Sequence, residues 1–325
     1  MFKSALGRGL AAALLSVAAL AAHAQAWPNK PVRVINPFPA GGGVDTFARP
    51  IAAKLTQALG QNFYVENMGG AGGTVGAAAA ARQPGDGYTI FMGAIHHAIA
   101  ESLYTKLTYG IEKDFETVTI VAEVPNVIVM HPKHEGIKTY ADLLKYLKAN
   151  PGKLNFGSAG NGTSHHLVGE LFKMQTGTDI VHVPYKGAGP MMADLLAGNV
   201  DMAFDGMGTS ANQIKGGKLR PLAVSSGTRN FVLPDVPTLK ELGLRDFEVT
   251  SWYAMWVPKG TPREVIDRLY AEVAKILKMP DIKALWDSQG ATAPAPSPAE
   301  FARFQRAEIE RWGKVVRDAK IKIDN

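Results

Sequence analysis

The sequence contains no cysteine, so disulfides and thiolate metal sites are excluded and the folded chain must be stabilised by its core. Long apolar runs are also scarce. The one near the N-terminus is short, and no later stretch reaches the roughly 18 uninterrupted apolar residues that a membrane-spanning helix needs. Lys and Arg residues are scattered and form no basic block or basic–aromatic run, which argues against nucleic acid as a partner.

The N-terminal segment has the order of a secretory signal peptide. Lys3 and Arg8 precede the apolar run Leu10–Ala22, and Ala22-His23-Ala24 is a small-x-small cleavage motif, with Ala24-Gln25-Ala26 as a second choice. We therefore expect export to the periplasm. Removal of the leader reduces the 35 basic residues to 33 against 29 acidic ones, so the formal net charge of +6 becomes +4. This mild positive charge suits an anionic solute, and about 300 remaining residues are enough for two domains.

The most informative stretch is the glycine-rich segment Pro37–Asp45. It follows Val32–Asn36, which is typical of a buried strand, and precedes apolar residues spaced like one face of a helix. Backbone amides of a glycine loop and the dipole of the following helix both favour an anion. We predict that this loop binds a carboxylate, although a tight strand-to-helix turn without a ligand fits this stretch alone equally well.

Strand, loop and helix units repeat along the chain, which predicts an α/β fold with mostly parallel sheets flanked by helices. A second glycine loop, Asn67–Gly73, follows the strand Phe63–Val65, and ligands in such sheets bind where strands end. Two apolar runs broken by Pro125 form a crossing, after which the alternation starts afresh; Phe247–Val257 leads back. We predict three parts: a signal peptide in residues 1–26, domain 1 in residues 27–124 and 250–325, and domain 2 in residues 125–249.

The loop Gly157–His166 gives the second domain the same arrangement of strand, small residues and helix start. Ser158, Thr163 and Ser164 supply hydroxyl donors without a fixed charge, and backbone amides supply the rest. An ordinary helix capped by Thr163 or Ser164 is the alternative. One such loop in each domain is expected when two lobes close on a solute that carries charge at both ends.

Two enzymatic alternatives arise from other motifs. The glycines of Gly70–Gly76 only loosely resemble a dinucleotide fingerprint, and no acidic residue lies at the required distance beyond them, so we predict no cofactor. An exported serine hydrolase would use Ser158 or Ser164 with the neighbouring His165-His166, and Asp205 ends a later strand. The Gly-x-Ser-x-Gly pattern is absent, and adjacent Ser and His side chains at a helix start point in different directions, so we predict no catalysis.

Adjacent histidines are the remaining candidates for metal ligands. His96-His97 and His165-His166 cannot readily chelate one ion, because neither a helix nor a strand directs consecutive side chains to one point. We predict histidines that are satisfied by hydrogen bonds or face the solvent instead. Trp252, Tyr253 and Trp256 are predicted to pack in the core or at the hinge, with one ring in the pocket as the alternative.

Several short stretches, taken in order, resemble the periplasmic substrate-binding proteins of tripartite tricarboxylate transporters, also called the Bug family. Each stretch is weak alone, and their number and order make the resemblance specific. They span essentially the whole chain after the signal peptide: Trp27-Pro28, Pro37–Asp45 with Ala48-Arg49, Glu66-Asn67 with Gly69–Gly73, Gly157–Gly162 with His166-Leu167, Val183–Gly187, Leu219–Val224 and Leu233–Thr238.

The resemblance implies a two-lobed, flytrap-like binding protein whose cleft holds a carboxylated solute through main-chain amides and ordered waters. Family ligands include di- and tricarboxylates, acidic amino acids and aromatic carboxylates. The implied partners are this small organic anion and a permease of one large and one small membrane subunit, served by a monomeric protein; a membrane sensor is the alternative partner. The pair His96-His97 is not part of the family pattern and is a candidate for tuning which solute fits. The implied ligand contacts are Phe38, Pro39, Ala40, Gly41, Gly42, Asp45, Ala71, Gly72, Ser158, Ala159, Gly162, Thr163 and Asp205.

Overall fold

The structure, a computed structural model, describes residues 27–244, 247–318 and 321. The predicted signal peptide, residues 1–26, lies outside the described residues. Within the described ranges, no helix has both the length and the apolar character that crossing a membrane requires.

Strands and helices alternate through most of the described chain, as the sequence predicts. The strands are β1 (Val32–Asn36), β2 (Phe63–Asn67), β3 (Thr89–Ala94), β4 (Phe115–Met130), β5 (Asn155–Ser158), β6 (Val181–Pro184), β7 (Met202–Gly206), β8 (Arg220–Val224) and β9 (Thr250–Pro258). The α-helices are α1 (Gly43–Leu59), α2 (Thr74–Ala81), α3 (His96–Leu103), α4 (Tyr140–Ala149), α5 (Ser164–Thr176), α6 (Ala188–Leu196), α7 (Met207–Lys215), α8 (Arg263–Ile276), α9 (Pro280–Ser288) and α10 (Pro298–Asp318). A single 3₁₀ turn, Ala71–Gly73, precedes α2.

The strands form one continuous sheet in the order β2-β1-β3-β9-β4-β7-β5-β6, with β8 paired to β4. Strands β1, β2 and β3 are parallel, as are β5, β6 and β7. The antiparallel pairs all involve β9 or β4. Each half of the sheet is therefore mostly parallel, and one strand in each half runs against the others.

Strand β4 joins the two halves. Its first part pairs with β9, from Phe115 opposite Pro258 to Pro125 opposite Thr250. Its last part, from Asn126 to Met130, pairs instead with β7 and β8. We predicted two runs broken by Pro125, and this break is wrong. The strand continues because the missing N–H of Pro125 falls where one ladder ends and the next begins.

Our predicted domain boundaries fall at the same crossing and remain a prediction. We call residues 27–124 with 250–318 lobe 1, and residues 125–249 lobe 2. Helix α10 packs against the return strand β9. The indoles of Trp252 and Trp256, which are 1% and 0% exposed, donate to Glu308 (3.0 Å) and Gln305 (2.7 Å) of α10. These two tryptophans are core residues at the hinge side of the sheet.

Candidate functional site

The loop between β1 and α1 is held in shape by Asp45. Its Oδ1 accepts hydrogen bonds from the amides of Asn36 and Asn67, both at 3.2 Å. Its Oδ2 accepts from the backbone N–H of Gly41 (3.1 Å) and from Arg49 Nε (2.8 Å). Burial opposes ionisation, but these hydrogen bonds outweigh it and keep the pKa of Asp45 below its ordinary value. Both carboxylate oxygens are used internally, so Asp45 positions the loop, and the amide of Gly41 is occupied as well.

The tip of this loop touches lobe 2. Pro39 lies between two glycines, and a Cβ on either Gly69 or Gly187 would come within 2.8 Å of Pro39 Cδ. A Cβ on Gly189, near the start of α6, would lie 2.6 Å from the carbonyl oxygen of Ala40. Gly42 caps α1 and is buried against the same segment. The two lobes are therefore in contact, and we call the boundary between them the seam. Glycine is needed on both sides of this seam, because a larger residue would clash across it.

The second glycine loop also meets lobe 2. The hydroxyl of Tyr104 contacts the carbonyl oxygen of Ala71 (3.1 Å) in its own lobe and that of Asn161 (3.0 Å) in the other. A Cβ on Gly72 would lie 2.6 Å from the same Asn161 oxygen. A groove of about 460 Å³ opens here, with the exposed lysines Lys106 and Lys186 on its two sides. The mouth of the seam thus carries positive charge from both lobes.

In the lobe 2 loop, the predicted hydroxyl donors have internal partners. Ser158 is fully buried, and its Oγ accepts from the backbone N–H of Gly160 and lies 2.7 Å from His182 Nε2. The hydroxyl of Thr163 donates to the Gly160 carbonyl at 2.7 Å. The backbone N–H of Gly162 donates to His166 Nδ1 at 3.2 Å. Ala159 is buried beside them. These groups shape the start of α5, and that helix end is directed to the seam.

The floor of the seam consists of side chains from both lobes, including Tyr253 of the return strand β9. His96 of α3 accepts a hydrogen bond from the backbone N–H of Ser164 at 3.2 Å, and its ring packs edge-on against Phe38 and His165. The hydroxyl of Tyr253 lies between two helix starts. It would clash with a Cβ on Gly43, and it is 3.2 Å from the position of a Cβ on Gly206. The N-termini of α1, α5 and α7 therefore converge on this floor.

The floor is buried and lacks positive charge from its histidines. Burial lowers the pKa of His96, which the neighbouring histidines lower further, and burial lowers the pKa of His165 against the opposing effect of Asp205. Burial also lowers the pKa of His97 to about 3. At neutral pH these rings are uncharged. What favours an anion here is the positive end of each helix dipole.

The structure brings the sequence-predicted residues of both lobes to one seam. The loops around Phe38–Gly42 and Ala71-Gly72 face lobe 2, while Ser158–Thr163 and Asp205 border the floor from the other side. Sequence reasoning missed Tyr104 and Gly189, and it assigned Tyr253 to packing first. The one sequence signal that the Tyr253 ring could face the cleft is its position in Phe247–Val257, the run that leads back from domain 2 to domain 1.

The four histidines of the two adjacent pairs are buried rather than solvent-facing, and the prediction that they are satisfied is wrong for His97 Nε2 and His165 Nδ1, which have no hydrogen-bond partner. His165 bonds neither Ser158 nor Ser164. Ser158 lies 2.7 Å from His182 Nε2, but it has no exposed surface for a substrate. In the described part of the chain, no group of three or more His, Cys, Asp or Glu side chains could hold a metal ion.

Comparison with known proteins agrees with this geometry. Residues 47–321 match the family model described as the tripartite tricarboxylate transporter family receptor. A protein from the TAR-I ttuE-ttuC' intergenic region of Agrobacterium vitis is 40% identical over 314 residues, 95% of this chain and 90% of that protein. Protein BugT of Bordetella pertussis is 36% identical over 302 residues, 92% of each chain.

Solved structures give the same result. The periplasmic binding protein BugD has a TM-score of 0.87 at 34% identity, covering 91% of this chain and 99% of that one. An R. palustris protein with adipate has a TM-score of 0.88 at 36% identity and the same coverages. MatC from Rhodopseudomonas palustris with bound malate has a TM-score of 0.85 at 33% identity, covering 89% and 100%.

These relatives are solute-binding proteins rather than enzymes, and they confirm the predicted two-lobed α/β fold of a periplasmic binding protein. The chain belongs to the tripartite tricarboxylate transporter receptor family, as a solute-binding protein of the Bug family.

Proposed function

We propose that the protein is exported to the periplasm, captures a small carboxylate-bearing solute between its lobes and delivers it to a permease of one large and one small subunit. The observation that carries the proposal is the convergence of the α1, α5 and α7 N-termini on the seam floor. Each helix N-terminus carries about half a positive charge and N–H groups without an intrahelical partner, which suits a carboxylate.

The lobe contacts provide the mechanism of capture. Pro39 and Ala40 of lobe 1 meet Gly187 and Gly189 of lobe 2 in this structure, and opening of the lobes would separate them. A solute that binds the helix starts of both lobes has its full set of contacts only in this closed state. It therefore shifts the population toward closure by its differential affinity for the two states.

The hydrogen-bond donors of the site determine which class of solute can bind. Backbone amides and neutral side chains bind a carboxylate without a fixed cation, and the exposed lysines at the mouth attract anions to the opening. Adipate and malate, which accompany two of the related structures, are both dicarboxylates. We propose a di- or tricarboxylate, an acidic amino acid or an aromatic carboxylate, bound by a monomer.

The contacts we propose include the loop residues predicted from the sequence, with altered roles. Phe38–Gly42 and Ala71-Gly72 would line the solute through main chain and ring. Asp45, Ser158 and Thr163 would act by holding the two loops in shape, since their polar atoms already have partners.

A thermal-shift screen of mono-, di- and tricarboxylates tests the proposal. A bound solute raises the midpoint by mass action, and a hundredfold excess over Kd stabilises the native state by about 2.7 kcal/mol. A screen in which no carboxylate shifts the midpoint would refute the proposal. Delivery needs a separate assay, uptake of the identified solute by cells with and without this gene. N-terminal sequencing of the exported protein tests cleavage after Ala24 or Ala26.

A further inference from the structure

Unpaired polar atoms cluster at the floor of the seam. Of the five buried side-chain atoms without a hydrogen-bond partner in the described residues, two are His165 Nδ1 and Asp205 Oδ1, which lie 3.4 Å apart. An unpaired buried polar atom costs about 1 to 3 kcal/mol, so such atoms are rare unless a ligand or water meets them. His165 and Asp205 both belong to lobe 2 and face each other.

Asp205 is satisfied on one side only. Its Oδ2 accepts from the hydroxyls of Thr209 (2.5 Å) and Ser210 (2.6 Å), which fixes the carboxylate plane. Its Oδ1 lies 3.4 Å from His165 Nδ1 in an alignment too poor for a hydrogen bond. The side chain has no exposed surface. An oriented acceptor is thus held in the interior without a hydrogen bond.

The chemistry of this pair excludes some solute groups. A carboxylate next to Asp205 would be repelled, and an apolar group would leave Oδ1 unsatisfied. A hydroxyl satisfies both atoms, since it donates its hydrogen to Asp205 and accepts from an imidazole N–H of His165. An ammonium group donates to Asp205 but cannot accept from an N–H.

We propose that the solute is a hydroxycarboxylate whose hydroxyl contacts both His165 Nδ1 and Asp205 Oδ1 from beside the pair while its carboxylates bind the helix N-termini. This inference rests on the proposed function and narrows it. The discrimination comes from the unpaired acceptor, because an analogue without the hydroxyl leaves that acceptor buried and unsatisfied.

The test is calorimetric titration with matched pairs: succinate against malate, and glutarate against 2-hydroxyglutarate. The wild-type protein should bind the hydroxylated member of at least one pair roughly ten- to a hundredfold more tightly, the range for a hydrogen bond to a charged group. Asp205→Asn places a donor where Oδ1 accepts and keeps the size of the side chain. In this variant the preference should fall to near unity while the plain diacid still binds.

Asp287→Asn is the matched control, because Asp287 is an exposed partner of Lys283 on α9. It should leave both affinities unchanged. If Asp205→Asn fails to fold, His165→Phe removes the other half of the pair and should also abolish the preference.

The outcomes separate the two levels of the proposal. Equal affinity for both members of each pair in the wild-type protein, or tighter binding of aspartate than of malate, would overturn the hydroxyl inference and leave carboxylate binding intact. Failure of every carboxylate to bind would overturn the proposed function itself.

Discussion

We predict that Gly189→Ala, which adds one methyl group, impairs closure of the two lobes without destabilising their folded structure. Gly189 lies in the first turn of α6, and the three atoms nearest to an added Cβ all belong to the lobe 1 loop: Ala40 O at 2.6 Å, Gly41 C at 3.3 Å and Gly42 N at 3.5 Å. All three are backbone atoms, so no side chain can rotate away. In the open state, by contrast, the methyl group would face solvent.

The substitution should have two opposing effects, one on the stability of lobe 2 and one on the closed state. In the helix, Gly189→Ala should stabilise lobe 2 by roughly 0.5 to 1 kcal/mol, because alanine loses less backbone entropy on folding. In the closed state the loop must move away, and overpacking of this kind costs about 1 to 3 kcal/mol. That cost falls on the bound form alone, so we expect solute affinity to fall roughly 5- to 150-fold.

Calorimetry with the best solute from the screen measures the affinity, and small-angle scattering measures compaction on binding. Gly136→Ala is the control, since an added Cβ there meets nothing within 4 Å. The variant should unfold at or above the wild-type midpoint without solute and show weaker binding and less compaction. Wild-type affinity and compaction in Gly189→Ala would refute the assignment of this seam as the closing interface.

Three further changes test other parts of the site. Asp45→Ala should destabilise the protein by about 2 to 3 kcal/mol in urea unfolding, because four donors lose their acceptor. Arg49→Ala removes a half-exposed ion pair and should cost under about 1 kcal/mol. Equal destabilisation by the two substitutions would contradict the role of Asp45 in holding the loop in shape. Tyr104→Phe removes the hydrogen bond from lobe 1 to Asn161 of lobe 2 and should speed solute release roughly two- to tenfold in stopped-flow experiments. An unchanged rate would mean that this hydrogen bond does not stabilise the closed state. Burial lowers the pKa of His97 to about 3 in the folded protein, against 6.5 when unfolded, so the stability contributed by the neutral ring is fully present above pH 6.5 and is lost as the pH falls. At pH 5 the free energy of unfolding should be lower by about 2 kcal/mol on this account, and His97→Gln should remove this loss from the pH dependence of unfolding.

Much of the fold could be predicted because local patterns decide it. Apolar runs ending in glycines place the loops at the carboxyl ends of β1, β2 and β5, and the predicted strands Val32–Asn36 and Phe63–Val65 agree with β1 and β2 to within two residues. The course of β4 could not be predicted from local signals. Pro125 breaks strands in general, and only the change of partner at that residue makes it harmless.

The site was predictable as a set of loops but not as a set of contacts. The hydroxyl of Ser158 has the pattern of a ligand donor, yet it is used by His182, which lies on the neighbouring strand β6. Gly189 and Tyr104 have no motif, and they matter only because closure brings the opposite lobe against them. Such information resides in tertiary contacts, which no local pattern contains.

Affinity and specificity therefore reside in different parts of this molecule. The seam of backbone atoms around Ala40 and Gly189 is indifferent to the chemistry of the solute, so a change there should weaken every carboxylate by one common factor. The floor pair of His165 and Asp205 consists of side chains, so a change there should alter the ratio between solutes. Because the clash at Gly189 and the recognition of the hydroxyl by His165 and Asp205 involve separate atoms, the effects of Gly189→Ala and Asp205→Asn should add in the double variant, within the few tenths of a kcal/mol usual for independent sites. A strong deviation from additivity would mean that the floor also controls how far the lobes close.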